Sequence, residues 1–158
     1  MIKVQREDFD VSKELDRLTV GNRDTGGIAT FLGVVRASEK SSNDRITAMT
    51  LEHYPGMTER QLAEIESEAH KRWPLEETTI IHRYGRLEPG ERIVFVACAS
   101  AHRHAAFEAC AFLVDWLKTR APFWKLEETE SGERWVEARA DDGRAAARWR
   151  EGTTEAAE

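Results

Sequence analysis

Runs of β-forming residues alternate with long helical segments along most of this chain, and that order constrains the fold more than any other feature. Two segments, 57–73 and about 103–120, have apolar residues at helical spacing. Pro74 and Pro122 follow them, and proline ends a helix because it lacks the backbone N–H. The β-forming runs are 28–36, 46–54, 78–85 and 92–100, with a hairpin over 123–139. Helix-linked strands together with a hairpin predict an α+β fold rather than a doubly wound sheet.

The length of 158 residues suits one domain with an ordinary hydrophobic core. We expect that domain to cover residues 1–140. Residues 141–158 are charged and rich in alanine, and we expect a flexible C-terminal tail there with a frayed helix.

The charge balance and the apolar runs exclude several classes of protein. Asp and Glu outnumber Lys and Arg by 29 to 23, a formal net charge of −6, so the chain lacks the basic character of a nucleic-acid-binding protein. No apolar run approaches the roughly 20 residues that span a membrane, and the charged N-terminal residues are unlike a signal peptide. Cys98 and Cys110 lie in apolar runs, which predicts buried free thiols in a reducing compartment. We therefore expect a cytoplasmic protein.

The histidines do not form the pattern of a metal site. Of the five, His102 and His104 are spaced like paired ligands, but no cysteine or carboxylate nearby completes a set of three or four. The sequence also lacks a glycine-rich phosphate loop and the G-x-S-x-G element of many hydrolases. We expect no metal and no cofactor.

A basic group at the start of the second long helix is more informative. Ser100 is positioned to cap this helix, and His102 and Arg103 follow in its first turn. Cations there oppose the helix dipole, whereas a bound phosphate would be stabilised by the dipole and the side chains together. Two interpretations stay open: an anion site, or an exposed arginine whose aliphatic stem packs on the surface.

Two lysines flank the break at Pro122. Lys118 falls in the last turn of the helix, where a cation also stabilises the helix dipole. Lys125 lies between Trp124 and Leu126 in a strand-like run. If Trp124 points into the core, Lys125 points to solvent or into a cleft. Neighbouring lysines disfavour each other's charge, so the pair is either a tuned amine site or solvated surface.

Six segments carry a resemblance to a known family. They are FLGVVR (31–36), LEHYPGM (51–57), IIHRYGRLEPGE (80–91), SAHRHAAFEAC (100–110), LKTRAPFWKLE (117–127) and SGERWVEA (131–138). In order and spacing these segments resemble the large, catalytic subunit of molybdopterin synthase, from about residue 26 to 139. LKTRAPFWK alone is highly specific.

The resemblance implies an α/β-hammerhead type of α+β fold with a small additional β-subdomain. It also implies a sulfurtransferase of molybdenum cofactor biosynthesis, which converts cyclic pyranopterin monophosphate into molybdopterin by installing a dithiolene. The sulfur would come from a small ubiquitin-like partner, a sulfur-carrier subunit that ends in a Gly-Gly thiocarboxylate. Two large subunits would form a central homodimer, with one small subunit at each end of the resulting heterotetramer.

The resemblance further implies roles for six residues. Lys118 and Lys125 match the two lysines of the family's active site and are the expected catalytic residues. The expected substrate-binding residues are Arg36, His102, Arg103 and Arg139, the last reaching the pocket of the neighbouring subunit. Val34 and Leu126 stand where the family often has basic residues, which predicts less positive charge around the bound phosphate.

Two other functions stay open at this point. The chain could be a non-catalytic module that holds a ubiquitin-like tail, which the loss of basic residues at positions 34 and 126 would suit. It could also be an RNA-binding domain that stacks bases on Phe123 and Trp124 beside Lys125, although the acidic net charge argues against this. The presence of both lysines favours the enzyme.

Overall fold

The computed structural model describes residues 1–38, 44–136 and 140–150. The helices are α1 (Val11–Thr19), α2 (Met57–Arg72), α3 (Arg103–Arg120) and α4 (Ala140–Ala147). The strands are β1 (Ile2–Gln5), β2 (Gly27–Val34), β3 (Ile46–His53), β4 (Glu77–Arg83), β5 (Gly85–Leu87), β6 (Arg92–Ser100), β7 (Phe123–Thr129) and β8 (Gly132–Val136). These elements confirm the predicted α+β class. No helix within the described ranges is both long and apolar enough to cross a membrane.

The first sheet has strand order β1-β4-β6-β2 and carries helices on both faces. Successive side chains of a strand point to opposite faces, so each inner strand serves two cores. Ile80 and Val96 pack with α2 and α3, whereas Ile81 and Phe95 pack with α1. All four are fully buried. The continuous apolar runs in β4 and β6 are explained by this burial on both faces.

The helix α3 is central to the fold because it is apolar over a wide face. The apolar residues at helical spacing that predict this helix include Ala106, Cys110, Leu113 and Leu117. All four are buried, and the helix buries four more side chains beside them. An α-helix of 18 residues is about 27 Å long. The two ends of α3 therefore lie in different parts of the molecule.

The second sheet, with strand order β5-β3-β7-β8, is the additional β-unit that the sequence predicts. It includes the expected hairpin, in which β7 and β8 pair antiparallel. Its core is small and consists of Val35, Met49, Leu51 and Leu87. The strand β7 lies between β3 and β8, and this places Lys125 in the middle of the sheet.

The segment predicted to be a flexible tail begins with a packed helix. Ala146 of α4 is buried, and the Trp149 ring meets the rings of Trp73 and Phe112 edge-on, with centroid distances of 5.7 and 5.6 Å. Composition does not predict this packing, because it does not show that an apolar side chain finds partners far away in sequence, and the flexible tail stays a prediction. Residues 151–158 lie outside the described ranges, and the domain boundary near residue 140 stays a prediction.

Candidate active site

A cavity of about 610 Å³ lies between the two sheets, beside the last turn of α3. Three of the predicted site residues line it together: Arg36, Lys118 and Lys125. Most of the other lining side chains are apolar, and they come from β2, β3, β6 and α3. Cations in a weakly polar environment interact more strongly with a bound anion than cations in bulk water do. The cavity is therefore suited to an anionic ligand.

Lys118 lies in the last turn of α3, where its side chain remains 55% exposed. Its Nζ is 3.7 Å from Oδ1 of Asp142, which lies near the start of α4 and also lines the cavity. An exposed ion pair of this length contributes little to stability. A ligand can therefore replace Asp142 as the partner of Lys118 at small cost.

Lys125 extends from β7 into the wall of the same cavity. Burial lowers the pKa of its ammonium group below the ordinary value of 10.5. The charges of Lys118 and Arg36 lower this pKa further, while Glu127 and Asp142 act in the opposite direction. Of the two interpretations of the lysine pair, the structure supports the tuned amine, and the amine is that of Lys125.

The alternation of side chains along β7 explains the direction of Lys125. Lys125 and Glu127 line the cavity, whereas Trp124 is 49% exposed on the opposite face. The assumption that Trp124 points into the core was wrong, although Lys125 does point into a cleft. Leu126 shares the face of Trp124, so its departure from the family pattern removes no charge from the cavity lining. Val34 does line the cavity.

The other predicted basic group lies at the opposite end of α3. His102 is the N-cap of the helix, Arg103 is its first residue, and both side chains are exposed. Ser100 does not cap the helix as predicted: it ends β6, and its Oγ accepts a long hydrogen bond of 3.4 Å from the His102 N–H. Arg103 and Lys118 are separated along the helix by about 22 Å. Within one copy of the chain, His102 and Arg103 therefore do not reach the cavity.

A glycine fixes the turn that precedes α3. Gly26 donates its N–H to the Ser100 carbonyl oxygen at 3.0 Å, and a Cβ added at Gly26 would lie only 2.1 Å from the carbonyl oxygen of Ala101. Any other residue here would force the backbone apart. Gly26 thus allows this close backbone contact at the N-terminal end of α3.

His82 also lines the cavity, although the predicted site does not include it. Its ring stacks on Phe123 with centroids 3.7 Å apart, and its Nδ1 donates to the carbonyl oxygen of Arg83 at 2.8 Å. Burial lowers the pKa of His82 to about 4, and the charges of His53 and Lys125 act in the same direction. Its ring is therefore neutral at pH 7. Alternation in β4 predicts the face on which His82 lies, but not that a cavity borders this face.

Arg139, the remaining predicted site residue, lies outside the described residues. Among the residues that are described, no group of three or more histidine, cysteine and carboxylate side chains is arranged to hold a metal ion.

A second cavity, of about 640 Å³, lies between α2 and α3. Its lining is mostly charged or polar and includes Arg60, Glu64 and Lys71. It contains none of the predicted site residues, and it brings no group of cations into an apolar environment. The cavity with the two lysines is the better candidate for the active site.

Comparisons with known proteins agree with the resemblance carried by the six segments. A profile of the MoaE protein family matches residues 4–120. The chain is also 55% identical over 150 residues to the molybdopterin synthase catalytic subunit of Pseudomonas aeruginosa, an alignment that covers 95% of this chain and 99% of that protein. The chain belongs to the MoaE protein family.

Two solved structures extend the comparison to the fold. The molybdopterin biosynthesis MoaE protein of Burkholderia ambifaria superimposes with a TM-score of 0.80 at 48% identity, over 94% of this chain and 97% of that one. A protein–protein complex of subunits 1 and 2 of molybdopterin-converting factor from Helicobacter pylori contains a chain with a TM-score of 0.70. That chain is 17% identical over 87% of this chain and 91% of its own length, so it shows a shared fold alone. Membership of the family confirms the prediction made from the sequence.

Proposed function

We propose that this protein is the catalytic subunit of a molybdopterin synthase. It transfers sulfur to cyclic pyranopterin monophosphate from the C-terminal thiocarboxylate of a small partner subunit, and so installs the dithiolene of molybdopterin. The observation that carries the proposal is the convergence of Arg36, Lys118 and Lys125 on one largely apolar cavity in a member of the MoaE protein family. The name of the Pseudomonas aeruginosa relative, a catalytic subunit, supports the presence of a partner subunit.

The charges of both reactants explain the need for these cations. The phosphate of the substrate and the thiocarboxylate of the partner are anionic, whereas the chain carries a net charge of −6. The net charge of the molecule therefore repels both reactants at long range, and local cations have to overcome this repulsion. The apolar walls strengthen each contact between a cation and an anion.

The chemistry requires stabilised oxyanions and mobile protons. The thiocarboxylate sulfur attacks a side-chain carbon of the pterin and displaces the oxygen substituent of that carbon, which links the pterin to the partner through a thioester. Water then cleaves the carbonyl–sulfur bond, leaving sulfur on the pterin and a carboxylate on the partner. A second thiocarboxylated partner repeats these steps at the neighbouring carbon, because a dithiolene contains two sulfur atoms. Lys118 stabilises the oxyanion that forms during this hydrolysis. Lys125, with its lowered pKa, contacts the substrate and gives up a proton more readily than an ordinary lysine.

The cysteines support an external sulfur donor. Cys98 and Cys110 are free thiols, both buried, as the sequence predicts. The hydrogen bond with Cys110 and burial raise the pKa of Cys98, which makes its thiol a poor nucleophile. Neither cysteine lines the cavity, so sulfur has to be delivered by another molecule. Free thiols also fit a cytoplasmic location.

The basic groups at the two ends of α3 are too far apart to bind one substrate within a single copy of the chain. This separation supports an active site shared by two copies. In a homodimer, His102 and Arg103 of one copy hold the substrate anion next to Lys118 of the other, and Arg139 has the same role. The edge strand β2 supports such contacts because it exposes Phe31, Leu32 and Val34. A small subunit on each copy completes a heterotetramer.

The structure weakens the RNA-binding alternative. Base stacking beside Lys125 required Phe123 and Trp124 to form one platform. Phe123 lies in the cavity against His82, whereas Trp124 is on the opposite face of the sheet. The non-catalytic module remains a candidate, since an inactive relative would have the same fold, and activity decides between them.

A reconstituted assay tests the proposed function. The chain alone, with cyclic pyranopterin monophosphate and a low concentration of sulfide, is expected to form no dithiolene. Adding the thiocarboxylated partner starts product formation, and a partner that ends in an ordinary Gly-Gly carboxylate serves as the control. Dithiolene formation from free sulfide by the chain alone would contradict the proposal. Binding of the thiocarboxylated partner without any product would favour the non-catalytic module.

A further inference from the structure

His82 is the neutral hydrogen-bonding side chain in a cavity whose other polar side chains are ionic. Three of these are the cations Arg36, Lys118 and Lys125. The carboxylates are Glu127, Asp141 and Asp142, and each has a cationic partner in Arg134, Arg144 or Lys118. The cations can bind the anionic groups of a ligand, but they cannot accept hydrogen bonds from its N–H groups.

The orientation of the His82 ring is fixed from two sides. Because a carbonyl oxygen can only accept, Nδ1 carries the proton in the 2.8 Å hydrogen bond to Arg83, and Nε2 is the acceptor. Phe123 stacks on the ring at an interplanar angle of 15°. Arg83 is itself anchored, since its guanidinium donates to the carbonyl oxygens of Arg6 and Arg92.

The other nitrogen of this ring, Nε2, has no hydrogen-bond partner among the described residues. It is not closed off from solvent. His82 stays neutral because burial lowers its pKa to about 4. A neutral imidazole next to Lys125 offers a lone pair at little electrostatic cost, whereas an imidazolium would repel the lysine.

We propose that Nε2 of His82 binds the heterocycle of the substrate by accepting a hydrogen bond from a ring N–H or amino group, while arginine side chains bind the phosphate. This inference rests on the proposed function, because it concerns the same cavity and the same pterin. His82 is a specificity residue in this account. It selects a ring with hydrogen-bond donors over other phosphorylated molecules, and it transfers no proton.

Binding titrations with the cyclic precursor and with inorganic phosphate test whether His82 binds the heterocycle rather than the phosphate. Cyclic pyranopterin monophosphate should bind His82→Phe about 5- to 100-fold more weakly than the wild type, because a buried donor of the ligand loses its acceptor. Inorganic phosphate should bind both proteins equally. Phenylalanine keeps the ring that stacks on Phe123, and melting temperatures verify that the fold is intact. His82→Gln restores an acceptor and should recover part of the affinity.

Two further comparisons keep the test decisive. His53→Phe is the matched control: His53 packs on Tyr84 with ring centroids 4.2 Å apart and does not line the cavity, so the affinity for the precursor should not change. If His82→Phe does not fold, His82→Leu can be compared with His82→Gln instead. The two side chains have similar volumes, and only glutamine can accept a hydrogen bond.

The outcomes separate this inference from the proposed function. A wild-type protein that fails to bind the precursor contradicts the function itself. A wild-type protein that binds it, together with unchanged affinity in His82→Phe, overturns the role of His82. Equal losses in His82→Phe and His82→Gln, or an equal loss for inorganic phosphate, would overturn it as well.

Discussion

The two ends of α3 carry basic residues in opposite settings. At the C-terminal end, Lys118 lies beside Lys125 and Arg36 in an apolar cavity, and burial together with neighbouring charge lowers the pKa of Lys125. At the N-terminal end, His102 and Arg103 are exposed, and they add positive charge where the helix dipole is already positive.

The difference in environment indicates that basic residues have different functions at the two ends of the helix. A cavity with apolar walls can alter the proton affinity of an amine, which suits the making and breaking of bonds. An exposed helix N-terminus with an arginine can only hold an anion through charge-assisted hydrogen bonds. We therefore propose that the chemistry takes place at the cavity end and that the exposed end binds the phosphate.

The largest effect is expected from removing the cavity lysine at the end of α3. Lys118→Ala should lower turnover about 100-fold or more, because one preorganised donor to an oxyanion is worth about 2.7–4 kcal/mol. The free energy of unfolding should change by well under about 1 kcal/mol, since the side chain is exposed. Single-turnover rates and thermal melts measure both quantities.

Two variants serve as controls for Lys118→Ala. Lys118→Arg keeps the charge but not the compact amine, so it should fold without recovering activity. Lys71→Ala removes an exposed lysine whose Nζ is 3.8 Å from Glu68, a similar ion pair outside the cavity, and should leave turnover unchanged. Wild-type turnover in Lys118→Ala would remove the catalytic assignment and favour a binding module.

Removing the arginine at the exposed end should affect affinity. Arg103→Ala is expected to weaken binding of the cyclic precursor about 10- to 100-fold, the value of one charge-assisted hydrogen bond, and to leave docking of the partner unchanged. Titrations of both ligands on the same variant measure this. Arg60→Ala, which removes another exposed arginine near the start of a helix, is the control. Equal losses for precursor and partner would show that Arg103 is structural.

A smaller effect should appear in the titration of Lys125. Its amine should titrate below the ordinary lysine value of 10.5, and Arg36→Ala should raise this pKa because one repelling charge is gone. NMR of lysines with labelled side-chain amines follows the titration directly. Arg23→Ala removes an exposed arginine outside the cavity and should have no effect. A pKa of Lys125 that does not move in Arg36→Ala would contradict the shared environment.

The sequence predicts the parts of this fold that depend on local pattern. Leu62, Ile65 and Ala69 of α2 are buried as their helical spacing predicts. The hairpin of β7 and β8 likewise follows from β-forming runs around a turn. These features depend on neighbours within a few residues, and the sequence contains that information directly.

The features that could not be predicted depend on contacts between distant segments. The packing of Trp149 against Trp73 and the place of His82 at the cavity both require the relative positions of several elements. The separation of Arg103 from Lys118 is different, because the rise of an α-helix already places them about 22 Å apart. The resemblance assigns both residues to one active site, and the geometry of one helix is enough to separate them within one copy of the chain.

The most direct test of the shared active site uses mixed dimers. Coexpression with two affinity tags isolates dimers in which one copy carries Lys118→Ala and the other carries Arg103→Ala. If each site takes Lys118 from one copy and Arg103 from the other, one of the two sites is intact, and the mixed dimer should retain about half of the wild-type activity. A dimer of a wild-type copy with a copy that carries both substitutions has one defect in each site and should be nearly inactive when the precursor concentration is well below the dissociation constant of Arg103→Ala. The reverse result, with activity only in the second dimer, would show that both residues act within one copy and would contradict the account.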